Sequence, residues 1–495
     1  MKFEDTIKDL NSDFIEEEVI AMEEFKELKK SKKQKDNELI SYTSFLETED
    51  FIYEQISYNK NKNNKNANDA NDAIYGKCSG FLEFDKSQAQ YRKVTEFVYQ
   101  NKLFRPIVDD LVNSGTVLLP NEPIEYGNEK ELIKEIKEFL YQYFEVPKFF
   151  ENFLPYLILF YWVYDKFPFI PYLHFLGRTG TGKSTAMEVL GSICYKPIDA
   201  SGAITMASIF RVASQWKGTL MLDEFNAGGD NYQEMLSLLK SGVSNKAVLR
   251  VEGEGKKEVK AFIVKSPKIF TSEKPVGDAG LRSRIIEVKM EPNKFRVPLF
   301  RLNKFLVKAE EIRSKLLLWR LRKLSQINLD EIEYGFEELK GFQGRVQQVI
   351  TPIYYMADEH SRIEIAEFAK EQQEETLRER REAIDGQIFE IIYDCHINKI
   401  LPSLIHITEQ INKGSKFPLN EKKVAGIIRK ILGFDIQKVG HENIRTVMLQ
   451  NQEERLEDLR EYYGVPSLAR VASVAEVATE ANEISDNTIK EMFVN

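Results

Sequence analysis

The sequence predicts an α/β chain: a parallel sheet at its centre, a mostly helical module before it and a small domain of helices and a hairpin after it. Three observations support this. Over residues 147–290 apolar runs of strand length alternate with helical patterns. Within them PYLHFL (Pro171 to Leu176) passes through a glycine-rich loop into the helical STAMEVLGSIC. Beyond residue 384, three helical patterns are followed by two short extended ones.

Residues 1–58 are rich in Glu and Lys at helical spacing and read as an acidic helical arm. The Asn-rich run over 59–73, NKNKNNKNANDANDA, offers nothing to bury and reads as a linker. Residues 74–146 read as a small, mostly helical module ending in the amphipathic KELIKEIKEFLYQYF. The α/β core spans 147–290, and residues 291–383 read as a helical lid and connector. A helix-and-hairpin domain covers 384–450, and an acidic helix and tail cover 451–495.

Composition narrows the class. The chain of 495 residues carries a net charge of -9, but its first 60 and last 45 residues hold the acidic excess, which leaves the middle about four charges positive. An acidic chain of this kind is compatible with nucleic-acid binding at its centre. Cys78, Cys194 and Cys395 stand far apart with no C-x-x-C, so neither a disulfide framework nor a zinc ribbon is implied and a cytoplasmic location is expected. The apolar run FLPYLILFYWVY is about a dozen residues long, where a spanning helix needs roughly 20, so it reads as a buried helix and no membrane partner is expected.

The chemistry concentrates in the core. Gly177, Arg178, Thr179, Gly180, Thr181, Gly182, Lys183, Ser184 and Thr185 form G-x-x-x-x-G-K-[ST] and the residue after it, between a strand and a helix. The glycines let backbone N–H groups turn onto phosphate oxygens, Lys183 reaches the β- and γ-phosphates of ATP, and Ser184 binds Mg²⁺. About 40 residues later GTLMLDEF ends an apolar strand on Asp223, placed to hold the Mg²⁺ shell, and Glu224, placed to orient and polarise the attacking water. KIFTS then brings Thr271 or Ser272 to a strand end. DAGLRSR follows, with Asp278 as an N-cap and Arg284 just before the last strand.

In that order GRTGTGKS, TLMLDE, KIFTS and D-x-x-L-x-S-R resemble the Walker A, Walker B, sensor 1 and arginine finger of an AAA+ P-loop ATPase, over about residues 150–290. The resemblance implies a five-stranded parallel sheet, a helical lid and a ring in which Arg284, or second Arg282, reaches a neighbour's γ-phosphate. Where the sensor usually holds Asn, this chain has Thr271 or Ser272. FQGRVQQVITPIYYMA resembles a sensor 2 helix, with Arg345 as its nucleotide-facing Arg.

Between the acid pair and KIFTS, the runs LRVE and EVKAFIV flank a Gly-Glu-Gly turn carrying Lys256 and Lys257. A hairpin there resembles the one before sensor 1 in superfamily 3 viral helicases and MCM replicative helicases, whose basic tip follows single-stranded DNA. The pattern over 384–450 reads as a winged helix, in which Lys422, Lys423, Arg429 and Lys430 of LNEKKVAGIIRK would reach DNA phosphates. The whole arrangement resembles replicative helicases of plasmids and viruses, including the helicase part of poxvirus-type primase-helicases. It implies an ATP-dependent, hexameric DNA helicase, with primase or polymerase activity on a separate protein. The alternative is an ATP-switched replication initiator or helicase loader that binds DNA without translocating.

Overall fold

The computed structural model describes residues 40–59, 77–201, 205–224, 232–252, 258–295, 297–298, 303–328, 330, 332 and 335–466. It divides into two compact units, Met1–Ala366 and Glu367–Asn495.

The first unit opens with strands. β1 (Ile40–Thr43), β2 (Phe45–Glu47), β3 (Phe51–Asn59), β4 (Lys77–Asp85), β5 (Gln90–Val94), β6 (Phe97–Tyr99) and β7 (Lys102–Pro106) build two sheets. The order is β2-β3-β4-β5 in one, all antiparallel, and β1-β7-β6 in the other. This corrects the reading of a helical arm over residues 40–58 and of a mostly helical module from 74; residues 1–39 of that arm lie outside the described residues. The first helix of more than one turn after these strands is α1 (Glu129–Leu140), capped by Asn128. The Asn-rich run is corrected as well: residues 60–76 lie outside the described residues, but β3 and β4 on either side pair with each other. The run therefore joins two strands of one sheet and does not separate two domains.

The physical reason for the misreading is visible in β3. Strand patterns are recognised by polar and apolar residues alternating between two faces. Here Ile52, Glu54, Gln55, Ile56 and Ser57 are all buried, so alternation is absent. Glu54 and Gln55 among them are satisfied by partners far along the chain. Gln55 donates to the Ile107 carbonyl at 2.8 Å and accepts from its N–H at 3.0 Å. Glu54 accepts from Tyr195 at 2.9 Å and lies 2.6 Å from Lys196 Nζ and 3.1 Å from Arg320 Nε, and Arg320 in turn grips both oxygens of Asp165. This buried charge cluster fastens the N-terminal sheet to the core.

α2 (Lys148–Trp162) contains the apolar FLPYLILFYW and is buried from Phe153 to Trp162. Among the described residues no helix is long and apolar enough to cross a membrane. Against it stands a five-stranded sheet of β8 (Tyr172–Leu176), β9 (Ile198–Asp199), β10 (Leu220–Leu222), β13 (Lys268–Ser272) and β14 (Ile285–Lys289), in the order β14-β8-β13-β10-β9. Every pair is parallel, as the apolar, doubly buried strands require. β13 lies between β8 and β10, so all three C-terminal ends open on one edge.

α3 (Lys183–Gly191), α4 (Met206–Trp216) and α5 (Tyr232–Ser241) connect these strands. β11 (Ala247–Glu252) and β12 (Glu258–Ile263) pair as an antiparallel hairpin resting on α4 and α5. Phe262 faces inward and is buried, and the Arg250 guanidinium stacks 4.6 Å from the Phe210 ring centre. The outer face carries Leu249, Val251, Val259 and Ile263, all exposed. Lys256 and Lys257, expected at the hairpin tip, lie outside the described residues.

α6 (Asn303–Leu324) packs back on α1 and α2, with Lys308 and Lys315 on Glu135 and Trp319 Nε1 donating to Glu129 at 2.8 Å. α7 (Gly344–Met356) packs on α2. α8 (Glu359–Glu382) runs across the division into the second unit.

The second unit is built of the rest of α8, α9 (Ile384–Ile397), α10 (Leu404–Asn412), α11 (Glu421–Ile427), an antiparallel hairpin of β15 (Ile436–Val439) and β16 (Ile444–Val447), and α12 (Glu453–Tyr463). Its core includes Phe389, Ile392, Leu404, Val424, Ile428 and Leu432. Asn420 caps α11 by accepting from Lys423 N–H at 2.9 Å. After Ile427 the helix widens to a π turn over Ile428–Leu432 and stops at Gly433, whose φ of +77° suits glycine. Residues 467–495 of the acidic tail lie outside the described residues.

Candidate functional site

The loop after β8 is shaped by its glycines. A Cβ at Gly177 would come within 2.7 Å of the Met290 carbonyl and of Thr181 Oγ1, and Gly180 and Gly182 adopt φ of +81° and +83°. Thr181 Oγ1 donates to the Arg178 carbonyl at 2.8 Å, which braces the turn from inside. α3 then starts at Lys183 with Gly182 as its N-cap, so no side chain takes up the first N–H groups and they face the cavity with the positive end of the helix dipole. Lys183 Nζ lies across the loop, donating to the Arg178 carbonyl at 2.9 Å.

Three side chains meet over this loop. Asp223 Oδ1 accepts from Ser184 Oγ at 3.1 Å and from Thr271 Oγ1 at 2.5 Å. The backbone N–H of Glu224 lies 3.1 Å from that same oxygen and 3.0 Å from Thr271 Oγ1. Glu224 itself has a φ of +53°, the left-handed region, which is costly for a residue with a Cβ and typical of functional turns. The surrounding bonds hold it there.

Thr179, Gly180, Gly182, Lys183, Ser184, Thr185, Asp223, Glu224, Thr271, Ser272 and Glu273 together line a cavity of about 460 Å³. Of the two sensor candidates, Thr271 bonds the acid pair. Ser272 also borders the cavity, but its hydroxyl donates to the Lys274 carbonyl at 2.5 Å and lies 2.8 Å from His174 Nε2 in the sheet interior. Glu273 was not singled out from the sequence; it accepts a hydrogen bond from Thr179. The signal available was its place directly after KIFTS.

Arg284, Arg282 and Arg345 are not brought to this cavity. Arg284 precedes β14, and its carbonyl accepts from Tyr172 N–H, at the start of β8. The loop follows Leu176 at the other end of that strand, about 13 Å away at ~3.3 Å per residue. Arg284 donates to the Gly280 carbonyl, while its Nε is buried with no hydrogen-bond partner among the described residues. Burial, and then the positive charge of Arg345, push its pKa down. Arg345 itself lies 5.5 Å over the ring of Phe169, and Arg282 Nε donates to the Val276 carbonyl at 3.0 Å. Arg345 therefore does not line the cavity of its own chain; it lies toward the same end of the sheet as Arg284.

No protein-family model matches the chain, and no curated protein matches it. Among solved structures it is similar to apo forms of the NrS-1 C-terminal region. One is 9% identical with a TM-score of 0.38, over 72% of this chain and 82% of that one. A second is 10% identical with a TM-score of 0.36 over the same shares, and a third is 14% identical with a TM-score of 0.36, over 74% and 84%. Likeness at that level fixes neither family nor activity.

In the second unit Lys422 and Lys423 on α11, and Arg429 and Lys430 on the π turn, are all exposed. Arg429 also donates to the Ile436 carbonyl at 3.3 Å, which ties the helix to the hairpin.

Proposed function

We propose that the chain is an ATP-hydrolysing DNA helicase of the AAA+ P-loop class, working as a homo-hexameric ring with a winged helix at its C-terminal end. The observation that carries this is the convergence of Ser184, Thr271 and Glu224 on Asp223 beside a glycine-shaped loop. That is the donor set a nucleoside triphosphate needs. Lys183 and the α3 N–H groups would hold the phosphates. Ser184 and Asp223 fit Mg²⁺: one hydroxyl and one carboxylate with phosphate oxygens suit a hard ion, which supplies charge to offset that of the phosphates. Glu224 takes the proton of the attacking water as the bond from the γ-phosphorus to the bridging oxygen breaks and ADP and phosphate separate.

Two features support a site completed by a neighbouring copy. Arg284 and Arg345 sit at the sheet edge remote from their own loop, with the buried Nε of Arg284 unpaired among the described residues. The hairpin's outer face leaves four large apolar residues in water, as a surface covered on assembly would. Coupling to DNA follows the chain: Glu224 leads through residues 225–231 to α5, on which the hairpin bearing Lys256 and Lys257 rests.

Strand displacement on forked DNA tests the reading. Lys183→Ala is expected to abolish ATPase and unwinding together. The double variant Lys256→Ala, Lys257→Ala keeps basal ATPase and loses unwinding; normal unwinding by it rejects translocation through the hairpin. The exposed lysines of the second unit favour an alternative, a DNA-binding initiator or loader. ATP-dependent duplex binding by the wild type with no strand displacement would select it.

A further inference from the structure

Residues 413–418, between α10 and α11, form a loop whose base is clamped. Asn412 Nδ2 donates to the Leu419 carbonyl at 2.8 Å, and Leu419 N–H donates back to Asn412 Oδ1 at 2.7 Å. Inside the loop Gly414 takes a φ of +76°, Ser415 N–H donates to the Asn412 carbonyl at 3.0 Å, and Phe417 N–H donates to Ser415 Oγ at 3.2 Å. Pro418 fixes the exit and biases Phe417 to an extended backbone. So fixed, the loop holds the Phe417 ring 88% exposed, the most exposed large apolar residue among those described.

The charges around the ring say what it meets. Lys413 and Lys416 lie in the loop, and Lys422 and Lys423 on the first turn of the helix it leads into; all four are exposed, and none forms an ion pair among the described residues. The acid nearest in sequence, Glu421, is taken by Arg445 at 3.7 Å. An aromatic ring that docks on a protein is usually rimmed by mixed polar groups, whereas one flanked along the chain by exposed cations without ion pairs fits a polyanion with flat apolar faces. A nucleic acid has both, phosphates for the lysines and base planes for the ring.

We infer that Phe417 is a base-stacking residue: its ring covers an unpaired base at a single-strand to duplex junction while Lys413, Lys416, Lys422 and Lys423 hold the adjoining phosphates. This rests on the DNA reading of the second unit and adds to it a structure preference, for junctions over closed duplex. Phosphate contacts alone supply affinity without such a preference.

The test uses the full chain without nucleotide and three labelled DNAs, a fork, a blunt duplex and a single strand, followed by anisotropy over a salt series. Phe417→Ala is expected to weaken fork and single-strand binding roughly 5- to 150-fold, to leave the blunt duplex unchanged and to keep the salt slope. The double variant Lys416→Ala, Lys423→Ala weakens all three and flattens the slope by about 0.9 per lost contact on duplex. Phe417→Trp binds as the wild type does and its emission is quenched by the fork, against three native tryptophans that are buried. Unchanged fork binding by Phe417→Ala, or equal loss on blunt duplex, overturns the proposal while leaving the ATPase reading intact; the first outcome would give the ring to a protein partner. No DNA binding by the wild type removes the DNA role of the second unit itself, a result that Lys183→Ala does not reproduce.

Discussion

At the scale of single residues, the positions that matter are set by hydrogen bonds only a few ångströms long. Thr271 and Ser272 are adjacent, both hydroxyl-bearing and both buried, yet one serves Asp223 and the other the sheet interior. Strand geometry explains it, since neighbouring side chains leave a strand on opposite faces. Thr271→Val should therefore cut ATP hydrolysis by about 10- to 150-fold, the worth of a hydrogen bond to a charged group. Ser272→Ala should cost far less. Steady-state ATPase of the two variants checks this; equal losses would return the assignment to ambiguity. The pair Asp223-Glu224 was legible from its strand and spacing. The positive φ of Glu224 was not, because it depends on the bonds from Thr271, 47 residues away.

Among the elements, the strands buried on both faces divide into two kinds. Those of the parallel sheet are largely apolar, and YLHFL, LML and KIFTS were readable as strands from sequence. β3 is equally buried but carries Glu54 and Gln55, whose partners come from elsewhere in the chain. A buried charge left without its partners is strongly destabilising. Glu54→Gln keeps the volume but leaves Lys196 and Arg320 without their shared carboxylate, and should lower the stability of the first unit by about 3–5 kcal/mol. Denaturant melts would show it as a shifted midpoint with the slope kept; an unmoved midpoint would mean that the cluster does not hold the N-terminal sheet. The hairpin of β11 and β12 was legible from the strand-like runs on either side of Gly-Glu-Gly. Its exposed apolar face was not, since facing depends on register and on what lies beneath.

Taken whole, the chain divides into two compact units, each with buried residues of its own. The second unit has its own buried set, from Phe389 to Tyr463, drawn from helices and both hairpin strands. A fragment of residues 367–466 should accordingly fold alone and melt cooperatively, as circular dichroism and a near-ultraviolet signal from its tyrosines would register. Failure to melt cooperatively would show that its core depends on the rest of the chain.

What the sequence determined by itself is local and periodic: apolar strands alternating with helices, a glycine loop between strand and helix, acids at a strand end, and the caps at Asp278 and Asn420. Spacing along the chain is enough for these because each is made by residues a few positions apart. The tertiary structure alone decided the β character of residues 40–59 and 77–106 and the choice of Thr271. It also placed Arg284 and Arg345 on the edge opposite their own loop. Each of these depends on groups tens to hundreds of residues apart meeting in a dry interior, where a hydrogen bond or charge is satisfied only by whatever the fold brings beside it.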